Sequence, residues 1–266
     1  MSKIDTLFEK LRAENRKALM PFVTAGDPDL EFTADVIREL VARGAAMCEV
    51  GIPYSDPIAD GPVIQASYTR ALEKKIKLAG IMNMLGAVAP QVSAPLVTMV
   101  SYAIIYRHGL EAYADELCKR NIAGMIVPDL PVEESPQLAK ICTARDLSLV
   151  QLITPTTPKE RALRIAGTSS GFIYYVSVAG ITGERTHLPP ELVERVSWLR
   201  EQTPLPVCIG FGISQPEHVR LLSPVADGLI VGSAVVRRIA EATENGRQAT
   251  LQSVGDYVAS LLASLD

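Results

Sequence analysis

Short apolar runs return eight times along the chain, and that recurrence restricts the fold more than any other feature. They lie at Ala18–Thr24, Met47–Ile52, Leu96–Ser101, Gly124–Val127, Leu147–Ile153, Phe172–Val176, Val207–Gly210 and Leu229–Val231. Most are continuous rather than alternating, as expected of parallel strands covered by helices on their outer face. Helix-patterned segments lie between them, at Leu30–Arg43, Leu110–Arg120, Ser135–Arg145, Pro158–Ile165, Pro190–Glu201 and Pro216–Leu222. Eight strand and helix units in about 250 residues is the arithmetic of a (β/α)8 barrel, and a doubly wound sheet usually has fewer strands. Ahead of the first run, Ile4, Leu7, Phe8 and Leu11 fall at helical spacing among charges, which predicts an extra amphipathic cap helix. No Ser/Gly/Pro-rich linker interrupts the 266 residues, so a single domain over 1–266 is expected. The longest intervals follow Ile52 and Val176. Elaborated loops are expected there, on the side of a barrel that holds active sites.

Composition removes several function classes. With 48% hydrophobic and 21% charged residues, the chain lies in the globular range. A formal net charge of -4 argues against nucleic acid or an anionic membrane as the main partner, since both need a basic footprint. The N-terminus, MSKIDTLFEKLRAENRK, is too charged for a signal peptide, and the most apolar stretch, Ala94 to Tyr106, is too short and polar to span a bilayer. A cytoplasmic location is the expectation. Cys48, Cys118, Cys142 and Cys208 form no CxxC pair and are read as reduced core residues. His108, His187 and His218 are well separated, which disfavours a Ser-His-Asp triad or a metal site. No lysine lies in a predicted strand, which argues against Schiff-base chemistry. Proton transfer by carboxylates remains.

The second run carries Glu49 inside apolar sequence, where an unpaired carboxylate costs several kcal/mol unless it is neutral or hydrogen-bonded. A neutral Glu49 would donate a proton; a strand Glu paired to its neighbour is the alternative. The loop from Pro53 to Pro62 holds three further-spaced prolines with Asp56 and Asp60, stiffer and more polar than a plain connector, although either aspartate could be a turn-former. Gly210-Phe211-Gly212-Ile213-Ser214 follows the seventh run and Gly232-Ser233 follows the eighth. Glycines admit close approach of an anion and helix N-terminal amides supply donors, so this loop pair is a candidate phosphate site. The segment Ser177 to His187 has two glycines as possible hinges and reads as a lid, or else as a surface loop. Tyr174 either faces the barrel mouth or fills the core.

Together these residues resemble the tryptophan synthase alpha chain family. The run from Cys48 through Glu49, Gly51, Tyr54, Asp56 and Asp60 to Pro62, followed by Ile64-Gln65, carries the resemblance, which extends from Phe22 to Ser233. Pro128-Asp129-Leu130-Pro131, Thr154-Pro155-Thr156-Thr157-Pro158, Gly171 to Ser177, Gly180-Ile181-Thr182-Gly183 and Gly210 to Ile213 support it. The resemblance implies retro-aldol cleavage of indole-3-glycerol phosphate to indole and glyceraldehyde 3-phosphate. Glu49 would protonate indole C3 and help deprotonate the glycerol hydroxyl, Asp60 would hold the indole N–H, and Tyr174 would be the active-site tyrosine. Gly183, Phe211, Gly212, Gly232 and Ser233 would hold phosphate through backbone amides. Phe22, Val100, Val127 and Ile153 would line the indole slot, with core packing as the alternative for each. Asp56 and Thr182 belong to the loops of the lid and partner side. The implied partner is a beta chain carrying pyridoxal phosphate, in an alpha2beta2 complex; no cofactor is expected in this chain.

Two departures stand out. Ile104 occupies a position two residues beyond Tyr102 where the family usually has Asn on the surface facing the beta chain, and Ser177-Val178-Ala179-Gly180 replaces a segment that often carries Arg. A stand-alone lyase releasing indole, a non-catalytic subunit activating a beta chain, and another phosphate-binding barrel are the competing readings.

Overall fold

Each of the eight apolar runs forms a strand in the computed structural model, which describes residues 1–57, 60–176, 189–210 and 212–265. The strands are β1 (Ala18–Thr24), β2 (Cys48–Gly51), β3 (Leu96–Met99), β4 (Gly124–Ile126), β5 (Ser148–Ile153), β6 (Ile173–Val176), β7 (Val207–Gly210) and β8 (Gly228–Val231). They pair in sequence order and close, β8 returning to β1, and every pairing is parallel. This is the (β/α)8 barrel expected from the spacing.

The helices are α1 (Lys3–Ala13), α2 (Leu30–Ala42), α3 (Pro62–Glu73), α4 (Leu78–Val88), α5 (Tyr102–His108), α6 (Leu110–Lys119) and α7 (Ser135–Thr143). They continue with α8 (Lys159–Thr168), α9 (Pro190–Gln202), α10 (Pro216–Leu222), α11 (Ser233–Ala240), α12 (Ala242–Asn245) and α13 (Arg247–Leu262). The long interval after β2 is therefore mostly helix. Its length is spent on α3 and α4 rather than on loop, because Ile64, Tyr68 and Ala71 on the one, and Ile81, Met82 and Leu85 on the other, supply apolar stripes to bury.

Strand alternation divides the apolar side chains into two layers. Met20, Phe22, Val97, Ile126, Val150, Tyr174, Cys208 and Ile230 fill the barrel interior, while Leu19, Val23, Val50, Leu149, Ile209 and Leu229 pack outward against the helices. The predicted cap helix belongs to the inner layer. Ile4, Phe8 and Leu11 of α1 are buried against it, with Phe8 5.8 Å from Phe172 between ring centroids. Ser2 begins α1 with a capping box and shares a 2.7 Å hydrogen bond with Ser148 at the start of β5. The helix thus closes the end of the barrel at which the strands begin, leaving chemistry to the other end.

Of the four cysteines read as core, Cys48, Cys142 and Cys208 are buried and Cys118 is exposed. Tyr113, Ala114 and Leu117 form the buried stripe of α6, and Cys118 falls off it, one residue past Leu117.

Candidate active site

Glu49 lies on β2 opposite Phe22 of β1 and Val97 of β3, with its side chain on the interior face. It has no exposed surface, and neither carboxylate oxygen has a hydrogen-bond partner among the described residues. The alternative of a paired strand glutamate is thereby not met. Burial alone pushes its carboxyl well above the usual range, which favours the neutral acid.

Asp60 comes from the loop that joins β2 to α3, directly before the Gly61 cap and Pro62 at the first helical position. Its amide donates to the Pro57 carbonyl at 3.1 Å, and the Gln65 amide group, one turn into α3, donates to the Asp60 carbonyl at 2.8 Å and the Pro57 carbonyl at 3.2 Å. The carboxyl is pushed up to about 6, first by partial burial and then by the charge of Asp129. The two carboxyls thus sit in different environments, Glu49 fully buried and favouring the neutral acid and Asp60 at the rim, raised only to about 6, the division expected of an acid and a charge stabiliser. Asp56 is exposed on the same loop and accepts a 2.6 Å bond from Ser55.

The helix that follows Asp60 is pinned to the end of β1. Thr24 and Ser67 share a buried 2.6 Å hydrogen bond, and Arg70 grips Asp27 through two nitrogens at 2.9 and 2.6 Å. Asp27 is 3% exposed, so its charge depends on that guanidinium. The sequence reading missed Gln65, Ser67 and Arg70 as supports. Only Gln65 had a signal, its place at the end of the motif.

Tyr174 of β6 is in the inner layer, 8% exposed, and its hydroxyl lies against Gly210 of β7. A side chain at Gly210 would collide with that ring, which explains the glycine at a strand end. Burial, with the nearby Glu49 and Asp60 charges added, holds the phenol well above its ordinary value, so it stays protonated. The interior thus brings together Phe22, Glu49 and Tyr174, with Asp60 at the rim. Val100 and Val127, one residue past the ends of β3 and β4, and Ile153, the last residue of β5, are buried in the larger apolar cluster.

The candidate anion site lies after β7 and β8. Gly212 has φ of +77°, a left-handed backbone that suits glycine. Behind it, the Ser214 amide donates to His218 Nδ1 at 3.3 Å and the Ser214 carbonyl accepts from the Tyr257 hydroxyl at 3.1 Å, fixing the loop. Gly232 caps α11 without a side-chain bond, and Ser233 opens the helix at an exposed position, so the first-turn amides face out from the strand end. Thr182, Gly183, Phe211 and the proposed lid, Ser177 to His187, lie outside the described residues. No cluster of three or more metal-ligating side chains occurs among the described residues.

Comparison with known proteins gives one consistent result. The family model described as tryptophan synthase alpha chain matches residues 8–260. The tryptophan synthase alpha chain of Rhodopirellula baltica is 54% identical, covering 100% of this chain and 99% of that protein. That of Prochlorococcus marinus is 48% identical over 90% and 87%. Tryptophan synthase subunit alpha from Legionella pneumophila superposes with a TM-score of 0.91 at 35% identity, covering 100% and 99% of the two chains. The motif around Glu49 and Asp60, the closed barrel and these full-length matches agree: the chain belongs to the tryptophan synthase alpha chain family.

Proposed function

We propose that this chain, as the alpha subunit of a tryptophan synthase in tryptophan biosynthesis, is a lyase that cleaves indole-3-glycerol phosphate to indole and glyceraldehyde 3-phosphate. One observation carries the reading: a fully buried carboxyl, Glu49, with no partner for either oxygen, beside Phe22 and Tyr174. Such a group is a neutral acid waiting for a substrate atom.

The C–C bond breaks once indole C3 is protonated, because the ring then leaves with the bonding electron pair as neutral indole. Glu49 supplies that proton, and as the carboxylate it takes the proton of the glycerol hydroxyl, whose oxygen closes the new aldehyde. Positive charge develops on the ring nitrogen before cleavage. The ionised Asp60 accepts its N–H and lowers the cost of that charge. Tyr174, held protonated, donates rather than accepts. Phosphate is held by the amides of Gly212, Gly232 and Ser233, with Gly183 and Phe211 assigned to the same role. Phe22 packs on the indole face with Val100, Val127 and Ile153 lining the slot, and Asp56 and Thr182 belong to the loops that shut the site. The partner is a tryptophan synthase beta chain in an alpha2beta2 assembly, and pyridoxal phosphate is assigned to that chain, the alpha chemistry resting on carboxyls and a phenol.

Indole release from indole-3-glycerol phosphate, measured with and without a beta chain, tests this. Turnover that rises with the partner and falls by about 10³-fold in Glu49→Gln is the expected result. High turnover that ignores the partner would identify a stand-alone lyase, and none under either condition would sink the reaction.

A further inference from the structure

The floor of the barrel, at the opposite end from the candidate active site, carries a second concave surface whose charge runs against that of the molecule. Arg12, Arg16, Lys17 and Arg200 stand around a cavity of about 260 Å³, and Asp227 is the one acidic side chain lining it among the described residues. The whole chain has a formal net charge of -4. Four cations gathered on one cavity of an acidic protein repel one another unless an anion answers them.

The backbone does the gathering. Helix α1 ends at Ala13, and Asn15 follows with φ of +52°, a left-handed turn that asparagine tolerates better than most residues. The Arg16 amide then donates back to the Leu11 carbonyl at 2.8 Å, which closes the helix and reverses the chain. Arg16 and Lys17 are thereby brought to the same cavity as Arg12 instead of being carried further along the helix axis.

Asp227 is already committed to the fold. One carboxylate oxygen accepts the Val207 amide at 2.9 Å at the start of β7, and the other accepts Arg200 Nη2 at 3.2 Å. Its carbonyl accepts the Ala18 amide at 3.1 Å and its amide donates to the Val207 carbonyl at 2.9 Å, so the residue joins the starts of β1, β7 and β8. Arg200 also donates to the Val225 carbonyl at 3.2 Å. Arg16 meets Glu14 at 3.0 Å on the surface. Arg12 and the half-buried Lys17 have no ion pair or side-chain hydrogen bond among the described residues. Of four cations, one is answered by Asp227 and one by Glu14, which leaves two positive charges facing the cavity.

We propose that this floor cavity is an anion site for a doubly charged phosphate group, carried either by inorganic phosphate or by a small phosphate monoester. The charge matches, and arginine offers the paired N–H groups that phosphate oxygens accept, with Lys17 as a point charge. The cavity is many times the roughly 15 Å³ that one water requires, so a short carbon chain fits beside the phosphate. The site is built from side chains, unlike the amide cradle after β7 and β8. Its occupant ties the end of α1 to α9 and stabilises the folded chain, because the unfolded chain has no such cavity.

Amide NMR of the full chain tests this, with inorganic phosphate and glycerol 3-phosphate titrated separately at about pH 8, where both are doubly charged, and chloride holding the ionic strength constant. Asn15, Arg16 and Lys17 report on the floor, and Gly212, Gly232 and Ser233 on the mouth. Saturable shifts are expected at the floor, with the dissociation constant raised about tenfold in Arg12→Gln and in Lys17→Gln while the mouth signals of both variants follow wild type. Glu14→Gln, which releases Arg16 from its surface partner, is expected to tighten floor binding about twofold to threefold. A tighter constant for the ester assigns the site to a phosphorylated metabolite, and equal constants assign it to inorganic phosphate. Floor shifts that rise linearly, that chloride reproduces at equal concentration, or that keep one constant across all three variants would overturn the proposal. Floor and mouth are read separately and neither reading uses turnover, so failure of the lyase assay leaves this result standing.

Discussion

Glu49 is costly to the fold and that cost depends on pH. Its carboxyl is raised in the native state by burial, so between the unfolded value near 4.5 and the native value the unfolded chain releases a proton that the folded chain keeps. The contribution of this group to stability is therefore full below about pH 4.5 and is lost as pH rises towards its native value, by up to about 1.4 kcal/mol per pH unit. Glu49→Gln removes the decline: urea unfolding is expected to show the variant gaining on wild type between pH 5 and pH 8, and equal slopes would contradict a neutral buried acid. Asp60 works the other way on activity. Its carboxyl, pushed up to about 6, must be ionised to face a cationic ring, so kcat/KM is expected to climb as pH passes about 6. Asp60→Asn should lower kcat about 10²- to 10³-fold, the loss typical of one group aimed at developing charge.

At the scale of elements, strands were legible in the sequence and several supports of the site were not. A continuous apolar run marks a strand covered by helices, and each predicted run meets its strand to within a residue or two. Glu49 was legible for the same reason, as a charge where the pattern demands none. Helix α3 was hidden behind a proline-rich loop, and α4 carries Gly80 and Gly86, poor helix formers that tertiary packing overrides. The contacts of Asp129 with Ser101, or of Arg70 with Asp27, join residues 28 and 43 positions apart, which no local pattern encodes. The clamp on α3 gives the prediction at this scale. Arg70→Ala strands a buried Asp27 charge and is expected to cost about 2 kcal/mol, the half-exposed arginine discounting the value for a fully buried pair. Asp27→Asn in the same chain should restore part of it, measured by a double-mutant cycle in urea.

The whole molecule separates support from chemistry along the barrel axis. Phe8, 5% exposed and seated on Phe172, plugs one end, and Phe8→Ala is expected to cost about 3 to 4 kcal/mol of unfolding free energy while KM stays in place. Loss of substrate affinity in that variant would show that the two ends communicate. Because the plug is made by α1, a segment outside the strand and helix repeat, the eight repeats need not close the floor themselves. That arrangement bears on evolvability: substitutions at the mouth can explore other ring sizes or leaving groups while folding stability is secured some twenty ångströms or so away, at roughly the length of a six-residue strand. A library confined to the mouth loops should keep its melting temperature far better than one of equal size in α1, and the chain is in that sense a scaffold already divided into a part to vary and a part to leave alone.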